Sequence, residues 1–251
     1  MSNKVISIII ATYNAANTIE RCLCSIISQK TDDIELIIVD GASKDQTRAI
    51  IEKYRDSIDV FFSEPDQGIY DAWNKGIKAS NGEWIMFVGA DDQLISGALS
   101  SYLSFLSDCS KENADIVTAK AVVIDDKGKE IYKIESPYCW ERFRKVFNIS
   151  HGSTLHNKRL FEEVGLFDIS FKICADYELL LRKKLNSLFL DKFVFIMQDG
   201  GLSTTNQSLE ETYRTKRMHN SQSFIGSNYR RYRGYVGNAM RRVFPILKKL
   251  K

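Results

Sequence analysis

The first ninety residues alternate short runs of Ile and Val with segments of helical period, and the runs are almost continuously apolar. A strand that is apolar at successive positions is buried on both faces, which a parallel sheet covered by helices provides and a sheet open to water does not. Strands are therefore predicted at 5–11, 34–40, 58–63 and 84–88. Between the first two, Ile19, Cys22, Leu23, Ile26 and Ile27 recur at helical spacing after Ala16 and Asn17, which makes the connection a crossover. Further helices are predicted at 44–54, 68–80 and 96–106. In the second half, runs at 116–124 and 130–134 flank Asp125-Asp126-Lys127-Gly128, a hairpin signal that makes the sheet mixed. Helices at 158–164 and 177–185, a strand at 188–196 and a helical tail after Leu209 complete the reading. The fold class expected is α/β, a Rossmann-like mixed sheet with helices on both faces plus a C-terminal helical basic tail.

At 251 residues, 44% hydrophobic and 27% charged, with 3 Pro and 14 Gly, the chain suits one large domain and not a disordered or fibrous protein. The net charge of +3 hides a polarity: Thr212 onward carries 11 Lys plus Arg and no Asp or Glu. The remainder has 24 basic against 32 acidic residues. An acidic body with a basic tail points the tail at an anionic surface. In that tail Val236, Met240, Val243, Leu247 and Leu250 share a stripe that Arg241, Arg242, Lys248 and Lys249 largely avoid, and Pro245 interrupts it. Tyr229-Arg230-Arg231-Tyr232-Arg233-Gly234-Tyr235 interleaves rings and cations, which suits an anionic membrane interface, a nucleic acid, or a helix packed back on the domain. The residues of the tail leave these three open; the membrane surface, with no nucleic acid, is the reading that the resemblance carried by the motifs of the body implies. Five cysteines without CxxC spacing argue against a disulfide framework or zinc site and fit a reducing cytosol. The apolar run at 5–11 is too short for a signal peptide, and no stretch approaches the ~20 apolar residues of a membrane span. A cytoplasmic protein, peripheral on the inner face of the plasma membrane, is expected.

Polar residues collect just beyond the predicted strands, where open α/β sheets bind ligands. They are Thr12-Tyr13-Asn14, Asp40-Gly41-Ala42-Ser43 and Gly89-Ala90-Asp91-Asp92. Helix starts after Asn14 and Ser43 offer backbone N–H groups to an anion. Neither Gly-x-Gly-x-x-Gly nor a Gly-Lys-Ser/Thr loop is present, so the two commonest glycine-based phosphate cradles are excluded. Adjacent carboxylates after a buried strand suit a hard cation such as Mg²⁺ or Mn²⁺. Taken alone, Asp91-Asp92 is equally a turn or a helix cap, and Asp40 a turn residue.

Four blocks in order carry a resemblance: Ser7-Ile8-Ile9-Ile10-Ala11-Thr12-Tyr13-Asn14, then Ile38-Val39-Asp40-Gly41-Ala42-Ser43-Lys44-Asp45-Gln46-Thr47, then Asp66-Gln67-Gly68-Ile69-Tyr70-Asp71-Ala72-Trp73-Asn74-Lys75-Gly76, then Phe87-Val88-Gly89-Ala90-Asp91-Asp92. Over roughly residues 5–205 the chain resembles a family 2 inverting glycosyltransferase of the GT-A fold. The resemblance implies a donor-binding part at about 1–110, an acceptor-binding part at about 111–205 and a tail at 206–251. It implies that Thr12, Tyr13, Asn14 and Asp40 hold the nucleoside, and that Asp66, Gly68 and Lys75 belong to the donor pocket. Asp91 would contact the ribose or sugar, and Asp92 the metal. Gly89 stands where the family often has Asp or Asn, which leaves the ligand count open. Lys75 is equally a solvated lysine, and Tyr70, Asp71 and Trp73 equally core residues.

In the second half, Ser150-His151-Gly152-Ser153-Thr154, Val164-Gly165-Leu166-Phe167-Asp168 and Ala175-Asp176-Tyr177-Glu178-Leu179-Leu180-Leu181-Arg182 continue the resemblance. It makes Asp176 the general base that an inverting transfer requires. The bland alternative is a cap on a helix beginning at Tyr177. Ala175 departs from the family's usual Glu-Asp. His151, and Ser203 in Gly200-Gly201-Leu202-Ser203, are implied near the acceptor or the diphosphate. The function implied is a metal-dependent hexosyl- or N-acetylhexosaminyl-transferase using a UDP-sugar, with a lipid-linked acceptor in bacterial O-antigen, capsule or exopolysaccharide assembly. The rival is a non-catalytic sugar-nucleotide-binding or scaffolding subunit, supported by Ala175 alone.

Overall fold

Branching at Cβ favours the extended chain, and the Ile- and Val-rich runs form the centre of one sheet. A computed structural model describes residues 4–108, 113–201 and 205–221. In it β1 (Ile6–Thr12), β2 (Ile34–Asp40), β3 (Val60–Ser63) and β4 (Trp84–Gly89) are parallel, in the order β3-β2-β1-β4. The crossovers between them contain α1 (Ile19–Ile27), α2 (Thr47–Glu52) and α3 (Ile69–Ala79). A two-residue strand β5 (Gln93–Leu94) and α4 (Ala98–Asp108) follow. The second half supplies the hairpin β6 (Ile116–Ile124) and β7 (Glu130–Ile134), then α5 (Trp140–Phe143), β8 (Thr154–Asn157), α6 (Lys158–Val164), α7 (Ala175–Leu181), β9 (Ser187–Gln198) and α8 (Asn206–Met218).

Alternate side chains of the central strands serve two cores, as the unbroken apolar runs require. Ile8, Ile10, Leu36, Ile38, Met86 and Val88 pack with residues of α1, α2 and α4. Ile9, Ile37, Val39, Ile85 and Phe87 pack with residues of α3, α5, α6 and α7 on the other face. Within the second core α3 lies close on β1 because Gly76 has no side chain: a Cβ there would stand 2.4 Å from Ile9 Cγ2. Gly76→Ala is expected to cost about 1–3 kcal/mol by overpacking, read as a lower denaturation midpoint.

The four parallel strands, the hairpin and the last strand lie where the apolar runs place them, within two residues at most ends. β8 was not foreseen. It is four residues long, passes directly into α6, and its last residue, Asn157, also caps that helix by accepting from Arg159 N–H at 3.1 Å. Its importance is topological, because it runs antiparallel between β4 and β6 and joins the two halves into one sheet.

The segment read as a tail also changes character. α8 is packed against the domain: Arg214 lies 4.0 Å over the Phe171 ring and bonds Ser170 Oγ, and His219 Nε2 is 2.9 Å from Glu178 Oε1. Arg214 and the buried Lys216, two of the eleven cations counted in the tail, are thus part of the folded body. The amphipathic stripe and the Tyr-Arg segment lie outside the described residues.

Candidate active site

Register brings the polar loops together. Parallel pairing sets Thr12 beside Asp40, Asp40 beside Ser63, and Ala11 beside Gly89, so all four strand ends reach one edge of the sheet. β1 departs toward β2 on one side and β4 on the other, the switch point at which α/β sheets open a crevice.

Asp40 is the post beneath these loops. It is fully buried, and its carboxylate accepts from Thr12 Oγ1 (3.0 Å), Ser43 N–H (3.0 Å), Ser43 Oγ (2.5 Å) and Ser63 Oγ (2.8 Å). Each oxygen carries two bonds to protein, so Asp40 holds three strand ends in register and has little capacity left for a nucleoside. Ser63 is a partner the sequence did not single out, and Ser43, noted beside a helix start, serves Asp40 instead.

Above Asp40 the first two loops clasp. Ser43 Oγ accepts from Asn14 N–H, Thr47 Oγ1 from Ala15 N–H, Asp45 Oδ2 from Ala16 N–H, and Asn14 Oδ1 from Lys44 N–H. Asn14 and Ala42 take positive φ of 50° and 60° to allow this. The amides expected to be free for an anion are therefore consumed by the clasp. The same contacts delay the helices, with α1 starting at Ile19 and α2 at Thr47.

A cavity of about 660 Å³ opens beside the clasp, lined among others by Thr12, Tyr13, Lys44, Asp66, Gly68 and Ile69. The size suits a nucleotide-sized ligand. Tyr13 is 63% exposed and Ile69 38%, two large apolar surfaces left facing solvent at the rim. Asp66 folds over the bare Cα of Gly41, where a Cβ would meet Asp66 Oδ2 at 2.6 Å. Its other oxygen accepts from Gly68 N–H at 2.8 Å, and Gly68 itself sits at φ 118°. Lys75 is not a wall of the cavity. It pairs with Glu64 at 2.9 Å and donates to Pro65 O at 3.1 Å, tying the Asp66 loop to α3.

At the end of β4, Gly89 makes room for an acidic pair: a Cβ there would lie 2.8 Å from Asp92 Oδ2 and 2.9 Å from Asp91 Oδ1. The residue that departs from the family's acidic motif thus lets both carboxylates fold over one Cα. Burial, together with Asp91, pushes the Asp92 carboxyl up to about 7, against backbone N–H donation from Gln198 at 3.1 Å. Arg21 of α1 donates to the Asp91 carbonyl oxygen at 3.1 Å. Two crowded carboxylates, with Asp92 buried and its ionised form disfavoured, are the kind of oxygen donors that suit a hard divalent cation. Among the described residues no group of three or more His, Cys, Asp or Glu side chains is arranged to hold an ion.

Asp176 stands in the first turn of α7, which begins at Ala175 and not at Tyr177. It is not the N-cap; Cys174 occupies that position and provides no side-chain cap. The Tyr70 hydroxyl, on α3, donates toward both Ile173 O (2.6 Å) and Asp176 Oδ1 (3.2 Å). Burial pushes the Asp176 carboxyl up to about 6, opposed by hydrogen bonds from Tyr177 N–H and Tyr70. The loop before α7 also reaches the cavity: Lys172 Nζ donates to Gln67 O at 2.6 Å, next to Gly68 of its lining. Ala175 is fully buried in the apolar core, so the departure from Glu-Asp is a packing position.

His151 is half-buried; its ring packs against core aromatics, and it is not among the residues lining the cavity. Its ring stacks on Phe87 (5.3 Å, 13°) and packs on Trp73 (5.1 Å), and its Nε2 is buried without a partner. Burial, with His156 beside it, holds it well below the usual range and hence neutral. The motif promised a polar contact, but the aromatic surroundings that fix the ring are distant in sequence. Ser203 lies outside the described residues.

Comparison with known proteins agrees with this geometry. The profile described as Glycosyl transferase family 2 matches residues 7–186. A PGL/p-HBAD biosynthesis glycosyltransferase of Mycobacterium bovis (strain BCG / Pasteur 1173P2) is 28% identical over 214 residues, 82% of this chain and 81% of the relative. An uncharacterized glycosyltransferase of Rickettsia typhi is 31% identical over 219 residues, 83% of this chain and 68% of the relative. Among solved structures, S. aureus TarS 1-349 superposes with a TM-score of 0.68 at 18% identity, covering 94% of this chain and 72% of TarS. The mannosyltransferase PcManGT of Pyrobaculum calidifontis, in complex with GDP-Man and Mn2+, gives 0.66 at 17% identity, covering 87% and 64%. The mixed sheet with its covering helices is the GT-A fold. With a profile match over most of its length and a relative above 30% identity, the chain belongs to glycosyl transferase family 2.

Proposed function

We propose that this protein is an inverting glycosyltransferase that moves a hexosyl or N-acetylhexosaminyl group from a UDP-sugar to an acceptor hydroxyl, with Asp176 as general base. The observation that carries it is the junction of Tyr70 and Asp176, where a carboxyl pushed up to about 6 is joined to the helix whose N-terminal turn walls the cavity. A base of that strength is ionised at neutral pH yet accepts a proton readily. As the acceptor oxygen bonds the anomeric carbon, its proton passes to Asp176. The bond from that carbon to the diphosphate breaks, and the electron pair leaves with the diphosphate. The donor half is about 1–110 and the acceptor half about 111–205, with α8 added to it by its packing. Tyr13, Asp66 and Gly68 bound the donor; Thr12, Asn14, Asp40 and Lys75 hold the loops that shape its pocket. Asp92, with Asp91 beside it, would hold Mn²⁺ or Mg²⁺, which supplies positive charge against the departing diphosphate.

UDP is preferred as the donor nucleotide because a TarS structure holds UDP-GlcNAc, although PcManGT holds GDP-Man. The test is a screen of UDP- and GDP-sugars with Mn²⁺ or Mg²⁺ and varied acceptors, reading nucleotide release. Release from no donor under any metal and acceptor would favour the scaffolding reading.

The acceptor proposed is a lipid-linked glycan of a bacterial surface polysaccharide, reached from the inner face of the plasma membrane. Support comes from the basic tail, with eight Lys plus Arg after Ser221 and no acid. Among the described residues no helix is long and apolar enough to cross a membrane. The full chain is expected to float with anionic liposomes and a truncation after Ser221 to remain behind, since each basic residue near such a surface contributes about 1 kcal/mol. A cut after Glu211, inside α8, would confuse loss of the tail with damage to the domain. Equal flotation of both forms rules the tail out as the anchor.

A further inference from the structure

We propose that Glu211 is a positioning residue for Asp176, holding from α8 the loop on which the base is set; the inference rests on the reading of Asp176 as the base. Glu211 is buried, and its carboxylate accepts backbone N–H groups from Lys172 (3.0 and 3.1 Å), Ile173 (2.8 Å) and Cys174 (3.0 Å). These are the three residues immediately before α7. Of these only the Cys174 N–H, at the N-cap position, belongs to the helix start, so the carboxylate anchors the loop entering α7 and does not cap its first turn.

The loop is gripped from both sides. Glu211 takes its N–H groups, while Tyr70 donates to the Ile173 carbonyl oxygen and reaches Asp176 Oδ1 with the same hydroxyl. Glu211 is in turn fixed: Gln207 Nε2 donates to its Oε1 at 3.1 Å, and α8 is pinned further along by Arg214 and His219. Such a grip sets where the Asp176 oxygens lie, and small misplacements of a catalytic group are costly.

Glu211 also acts through its charge. The groups facing Asp176 are Tyr70 from α3, Cys174 from the loop and Glu211 from α8. The Tyr70 hydrogen bond lowers the Asp176 pKa and the Glu211 charge raises it, so the two supports pull in opposite directions.

The experiment compares Glu211→Gln, Glu211→Asp and Tyr70→Phe with the unaltered chain, using whichever of UDP-GlcNAc or GDP-Man turns over. Glu211→Gln should lower kcat about 10- to 100-fold, leave UDP or GDP binding by calorimetry unchanged, and move the acidic limb of the pH–rate profile to lower pH. Glu211→Asp keeps the charge and shortens the reach, so kcat falls while the limb stays. Tyr70→Phe moves the limb to higher pH. A folded Glu211→Gln with unaltered kcat and limb overturns the proposal. Should that variant lose nucleotide binding, Glu211→Asp decides: unchanged kcat overturns the proposal, and a fall at a fixed limb supports it. Failure of the base assignment is separately visible, because Asp176→Asn would then turn over normally.

Discussion

With Asp176 as the base proposed, Asp176→Asn is expected to lower kcat by about 10²- to 10⁴-fold, the range a general base contributes, and to leave nucleotide affinity unchanged. Asn has the same shape and can still accept from Tyr177 N–H and from Tyr70, so α7 keeps its first turn. What it lacks is the capacity to take a proton from the acceptor. Calorimetric titration with UDP and nucleotide release assays on the same preparation separate the two properties. Loss of binding together with turnover would place Asp176 in the architecture of the pocket, and normal turnover would remove it from the chemistry.

The sign of the pH dependence follows from the same group. Burial pushes Asp176 up to about 6, and only the ionised form is a base. The rate therefore falls as pH drops through about 6 and levels off above it. In Asp176→Asn the residual rate should lose that limb.

The parallel half was legible in the sequence because burial on both faces leaves a coarse imprint: successive Ile and Val, with polar residues only where each strand emerges. The loops after β1, β2 and β4 were located for that reason. The roles inside those loops were less legible. Asn14, Ser43, Asp45 and Thr47 read as ligand or helix-start residues, yet they bond each other across two loops, a pairing that depends on register about thirty residues apart. Glu211 left no local signal, since it looks like any solvated helix carboxylate until α8 is packed on α7. β8 was hidden for the opposite reason: Thr-Leu-His-Asn is too short to show a period, although all four residues are buried.

Asp40→Ala tests which kind of residue Asp40 is. If it is a post, its removal strips the partners from Thr12, Ser43 and Ser63 at the buried ends of three strands. Hydroxyl groups can turn toward other acceptors, but the Ser43 N–H cannot. A buried donor left unpaired and the loss of charge-assisted bonds together amount to about 2–4 kcal/mol, read as a lower urea midpoint at constant slope. Asp40→Asn should fall between, because one oxygen remains. The amide NH₂, if placed at Oδ2, meets the Ser43 N–H donor head on, whereas Ser63 Oγ can rotate to accept it. Nucleotide binding should weaken with stability in both variants, since the clasp above Asp40 forms part of the cavity edge. A direct nucleoside contact predicts the reverse: weak binding at an unchanged midpoint. That result would return Asp40 to the ligand and leave the four internal bonds as bystanders, whereas a shifted midpoint makes the donor pocket a consequence of how three strand ends are held together.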